Sequence, residues 1–147
     1  MLIAVVAAAI VAIVLTVTNH QPRRDATVSG RAVVVARLAL MPTSAQPAAG
    51  GIAAVMRAGQ KLVLLIQAHG LAPNGQDVYA VWLNTPGGPR DLLGLVSPPV
   101  RQSGTFSSEA PLPGDAFRFA DLLLTRETTI RPARPGQLIL TAPLKPR

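Results

Sequence analysis

Chemistry in this chain has few residues to work with: seven acidic side chains, two histidines and no cysteine. Carboxylate catalysis requires a positioned pair. Glu127, preceded by Thr125 and Arg126, has no such partner in the sequence, so it reads as a structural ion pair or a bond to backbone at a strand end. His20 and His69 stand alone, outside any H-x-x-x-H spacing, and zinc would need carboxylates gathered around them. His69 sits at a strand end before Gly70, where pH sensing would require a carboxylate neighbour. The serines (Ser29, Ser44, Ser97, Ser103, Ser107 and Ser108) lie in polar or loop contexts, without a G-x-S-x-G elbow or an S-x-x-K pair. The stretch Asn84 to Arg90 (NTPGGPR) looks superficially like a phosphate cradle. It lacks the terminal Gly-Lys-Ser/Thr and leads into a strand, so it reads as a hairpin turn. Without cysteine there is no disulfide, thiolate metal site or thiol nucleophile. The expectation is a chain that is not an enzyme and holds no metal or cofactor.

The elements that carry these residues divide sharply. Residues 1–18 (MLIAVVAAAIVAIVLTVT) are uncharged and almost wholly aliphatic. A helix of that length reaches about 27 Å, close to the hydrocarbon thickness of a bilayer. No polar face suits it to a soluble core. A cleaved signal is the alternative, but the run has no basic n-region and no A-x-A-like exit. Residues 19–30 (NHQPRRDATVSG) read as a juxtamembrane linker. Arg23, Arg24 and Arg31 follow the apolar run, which by the positive-inside rule favours the cytoplasm for that side. A domain delivered outward then calls for a basic cytoplasmic segment upstream of Met1.

Residues 31–144 form one further domain, with 145–147 as a tail. Short apolar runs recur between Gly/Pro-rich punctuation: Ala32 to Met41, Ile52 to Arg57, Leu62 to Ala68, Val78 to Leu83, Leu92 to Val96, Thr105 to Ser108, Leu122 to Thr125 and Gln137 to Ala142. Ala58-Gly59-Gln60 signals a hairpin and Pro73-Asn74-Gly75 a tight turn. Eight strands without a helical period predict an all-β, antiparallel Ig-like β-sandwich preceded by a single transmembrane helix. Tyr79 and Trp82 are three apart on one strand and must face opposite sides of the sheet. As the only tryptophan, Trp82 is expected to anchor the sandwich core, with Tyr79 on the other face or at a rim.

The formal charge of +7 invites a nucleic-acid reading. Yet the basic residues of the domain are scattered singly (Arg37, Arg57, Lys61, Arg90, Arg101, Arg118, Arg126), and few aromatics exist to stack bases. No nucleic-acid partner is expected. Anionic lipid or wall polymer suits the arginines after the apolar run better.

One block is more specific. Tyr79-Ala80-Val81-Trp82-Leu83, then Gly87-Gly88 and Leu93-Gly94, resembles the Y-x-V-W-L … G … L-G segment of the extracytoplasmic domain of anti-sigma-K factors, the RskA family. Leu122 to Glu127 (LLLTRE) resembles that family's apolar strand ending in Thr-x-Glu, and Pro135-Gly136-Gln137-Leu138-Ile139-Leu140 its Pro-x-Gly turn and final strand. Gly70-Leu71 matches a recurrent Gly-Leu before the Tyr-Trp strand. The motif positions Tyr79, Trp82, Leu83, Gly94, Glu127, Pro135 and Gly136 are thereby expected to be structural. After Glu127 the chain departs, with Thr-Thr-Ile-Arg in place of Glu-Pro and a Gly-rich stretch.

The resemblance implies the external part of a regulator whose full plan is a cytoplasmic sigma-binding domain, one membrane helix and an external domain. Its implied partners are the bilayer through residues 1–18, an envelope protease and an intramembrane protease. A sigma factor would be reached only through a domain upstream of this chain. The alternative expectation is a structural or adhesive envelope β domain that contacts anionic wall polymer or lipid.

Overall fold

The computed structural model describes residues 31–145. The expected membrane helix (1–18), the linker (19–30) and the last two residues of the tail lie outside the described residues. Among the described residues, no helix is long and apolar enough to cross a membrane.

Eight strands follow in chain order: β1 (Val33–Pro42), β2 (Gly50–Ala58), β3 (Lys61–His69), β4 (Val78–Asn84), β5 (Arg90–Leu95), β6 (Phe106–Leu112), β7 (Asp121–Glu127) and β8 (Gln137–Pro143). Each corresponds to one predicted apolar run. The largest extension is β6, which continues through Glu109 and Pro111. Pro111 is tolerated because β6 is an edge strand, where the missing N–H costs no ladder bond. The β2–β3 hairpin closes through Gly59-Gln60. Gly59 has φ +61°, a left-handed conformation that glycine enters without steric cost.

The all-β antiparallel expectation holds, and the layering differs from two separate Ig-like sheets. All eight strands belong to one sheet in the order β5-β4-β7-β8-β1-β2-β3-β6. The ten-residue β1 makes the join: it pairs along its length with β2, while Met41 and Pro42 at its end pair with Thr141 and Leu140 of β8. At the other end of β1, a bulge between Val34 and Ala36 shifts its register with β2. The sheet folds over until its edge strands β5 and β6 come into contact, leaving it nearly closed.

The two layers share one apolar interior. From β1, β2 and β3 it takes Leu38, Leu40, Val55, Leu64 and Ile66; from β4, β7 and β8 it takes Val81, Leu83, Leu122, Leu124, Ile139 and Leu140. Each fully buried aliphatic side chain is worth roughly 1.5–3 kcal/mol relative to exposure. At the end where the chain enters at Arg31, a single 3₁₀ turn (Ala116–Arg118) presents the buried Phe119 to this interior.

Candidate functional site

Strand β4 is apolar on both parities, and that makes it the organising element. Tyr79, Val81 and Leu83 point into the shared interior. Ala80 and Trp82 point the other way, into a second cluster with Leu123, packed by Leu95 and Leu138. The expected placement of the two aromatics is therefore reversed: Tyr79 is the core residue, fully buried, and Trp82 sits on the outer face of the β5-β4-β7-β8 layer. Trp82 is buried there because its indole N–H has acceptors.

Those acceptors come from β7, whose outward parity carries Leu123, Thr125 and Glu127 beside β4. The indole Nε1 of Trp82 donates to Thr125 Oγ1 at 3.0 Å and to Glu127 Oε1 at 3.3 Å. The Thr125 hydroxyl donates its proton to the same Oε1. From the other side the backbone N–H of Gly136 donates to Oε1 at 2.9 Å. A buried carboxylate is costly unless charge-assisted hydrogen bonds compensate for lost water, and here an indole, a hydroxyl and an amide converge on one oxygen.

Gly136 can stand this close only as glycine. A Cβ there would lie 2.4 Å from Glu127 Oε2 and 2.7 Å from the Arg126 carbonyl. Half-buried Pro135 precedes it and sets the approach of the chain. The clamp thus ties the far end of segment 128–136 back to the strand from which it departs.

A second polar cluster lies on the inner side of the same strand ends. The Tyr79 hydroxyl donates to the Ala72 carbonyl at 2.8 Å and accepts from Gln46 Nε2 at 3.0 Å, while Gln46 Oε1 accepts from the Ala72 amide at 2.9 Å. Arg126, adjacent to Glu127 in sequence, points to this opposite side. Its Nε pairs with Asp77 Oδ2 at 2.8 Å, and its guanidinium lies 5.9 Å from the centre of the Tyr79 ring. Asn74 accepts from the Val100 amide at 2.8 Å and donates to the Asp77 carbonyl at 3.0 Å. Loops from three places are laced together across this end of the sheet.

Of the expected positions, the structure brings Trp82, Glu127, Pro135 and Gly136 into one neighbourhood. Leu83 is a core residue of the shared interior. Gly94 lies apart on edge strand β5, opposite Val81 and just past a bulge, where a Cβ would meet no heavy atom within 4 Å. Gln46, Asn74, Asp77 and Arg126 are the cluster members that sequence reasoning missed. Asn74 alone carried a local signal, the Pro-Asn-Gly turn. The side chains of the other three make contacts spanning 26 to 53 residues, which no local pattern reports.

Among the described residues no group of three or more His, Cys, Asp or Glu side chains could hold a metal ion. The Glu127 hydrogen bonds all run to partners within the fold, an arrangement that fastens backbone.

The fold and clamp define a class: a nearly closed antiparallel β domain whose most distinctive polar residues lock its strands and loops together. The family model described as anti-sigma-K factor RskA, C-terminal, matches residues 2–138, and the chain belongs to that family. No curated protein and no solved structure matches the chain.

Proposed function

We propose that this chain is the membrane-anchored, extracytoplasmic module of an anti-sigma-factor-like regulator, acting by steric and conformational means and not by catalysis. The observation that carries the reading is the span of the family match. It spans residues 2–138, taking in the uncharged aliphatic segment and most of the β domain. A stretch of eighteen uncharged residues ahead of a folded domain suits a bilayer anchor. The domain beyond it has the features of a stable plug: a continuous core and hydrogen-bonded loops at its far end.

In this reading the protein's output is access. The stretch 19–30 lies between anchor and domain, and the bulk of the β domain decides whether a protease reaches it. No residue of the β domain is assigned to holding a sigma factor, and in this reading the domain governs release.

The test uses the full chain reconstituted in vesicles. Flotation with the vesicles after an alkaline wash is expected, as is cleavage within 19–30 at a rate that rises when a ten-residue flexible insert is placed after Gly30. Recovery of the chain in the aqueous fraction would remove the anchor from the reading. An unchanged cleavage rate with the insert would remove steric control.

A further inference from the structure

We propose that the outer face of the β1-β2-β3-β6 layer is a self-association surface, on which a second copy of this chain stacks about a two-fold axis running along the strands. The proposal rests on the anchored reading above for its orientation, and its surface argument stands on the register alone.

Strand pairing aligns Arg37 of β1, Ala54 of β2, Leu65 of β3 and Glu109 of β6 in one row across the sheet. All four are on the outward parity, since their neighbours Leu38, Ala53, Val55, Leu64 and Ile66 fill the interior. The row is apolar in the middle, with a cation at one end and an anion at the other. Arg37 and Glu109 are exposed, and among the described residues neither has an ion-pair partner. The adjacent row places Met56 beside half-buried Val63, so the apolar strip continues along the strands. Ala54 and Met56 on this face are buried, while Ile52, Val63 and Leu65 around them are half-exposed.

Two sheets packed face to face lie about 10 Å apart. A two-fold axis along the strands, between β2 and β3, sets β1 of one copy over β6 of the other. Arg37 then meets the second copy's Glu109 twice over, and Ala54 meets Leu65, small against large. An axis across the strands would instead set Arg37 on Arg37 and Glu109 on Glu109. The same choice settles direction. The axis along the strands leaves both chains entering at the same end, as two copies held in one membrane must. The axis across the strands points their entries apart. Charge and tether therefore select the same geometry independently.

Four strands at about 4.8 Å spacing and about seven residues at 3.3 Å rise present roughly 440 Å² of face. That is below the ~800 Å² per partner of a standard stable interface, so pairing depends on the concentration a shared membrane supplies.

The chain has no cysteine, so Gln60→Cys at the exposed tip of the β2–β3 hairpin gives a single labelling site on the axis itself. Full-length chains carrying donor or acceptor dyes there are mixed in vesicles. Energy transfer is expected, because this axis brings the two tips side by side. R37E or E109R alone should weaken association about tenfold or more through paired like charges, and R37E/E109R together should restore it. Absence of transfer in floated vesicles, insensitivity to either reversal, or failure of the double reversal to restore transfer would overturn the proposal while leaving the anchor intact. If the chain does not float, the anchor fails by itself. Sedimentation equilibrium of the same variants at high protein concentration then decides the surface: loss and restoration support it, and a monomer throughout overturns it.

Discussion

The two outer faces of this folded-over sheet have been finished in opposite ways. On the β5-β4-β7-β8 layer the large apolar group, Trp82, is buried and its polar edge is bound by Thr125 and Glu127. On the β1-β2-β3-β6 layer the outward residues Ile52, Val63 and Leu65 stay half-exposed, with no polar group bonded over them. One face is closed by polar bonds within the chain, and the other keeps several apolar side chains half-exposed among the described residues. A nearly closed β domain does not need two finished exteriors to fold, because the shared interior supplies most of the burial. The unfinished face is therefore free to carry function, and the finished one to hold segment 128–136.

That contrast can be broken most severely at Trp82. Trp82→Ala removes a buried aromatic and strips Glu127 of a donor, and should lower unfolding free energy by about 3–5 kcal/mol in chemical denaturation. Gly136→Ala attacks the same clamp from the loop side. Its new methyl group must displace the Glu127 carboxylate or the Arg126 carbonyl, for an expected loss of about 1–3 kcal/mol. Proteolysis within 128–136 should also accelerate in that variant, and unchanged protection there would show that the clamp does not fasten the segment. Leu65→Ala on the open face should cost the single chain less than about 1 kcal/mol, since the side chain is only half buried. A loss as large as that at Trp82 would mean the two faces are equally structural and would erase the contrast.

Much of the clamp was visible before the fold. Glu127, Pro135 and Gly136 are singled out by the family resemblance, and in the structure the Gly136 amide donates to Glu127. The error at Tyr79 and Trp82 has an equally specific cause. Strand β4 reads Val-Tyr-Ala-Val-Trp-Leu-Asn, apolar on both parities, so alternation could not say which parity faces inward. The expectation placed the larger ring in the core. Hydrogen bonding decided otherwise: an indole N–H next to Thr125 and Glu127 is satisfied on the outer face, while the Tyr79 hydroxyl reaches Ala72 and Gln46 at the end of the interior.

By itself the sequence determined the eight strands and their turns, because alternation and Gly/Pro punctuation are local properties of the chain. It also determined the family, through residues whose order and spacing survive without any coordinates. Only tertiary structure decided how the layers join, since that depends on two residues at the end of β1 meeting β8 a hundred positions later. Only tertiary structure decided which side of β4 is the inside. And the row from Arg37 to Glu109 exists solely because four strands are in register: those residues are strangers in sequence, made neighbours by backbone hydrogen bonds that carry no side-chain code.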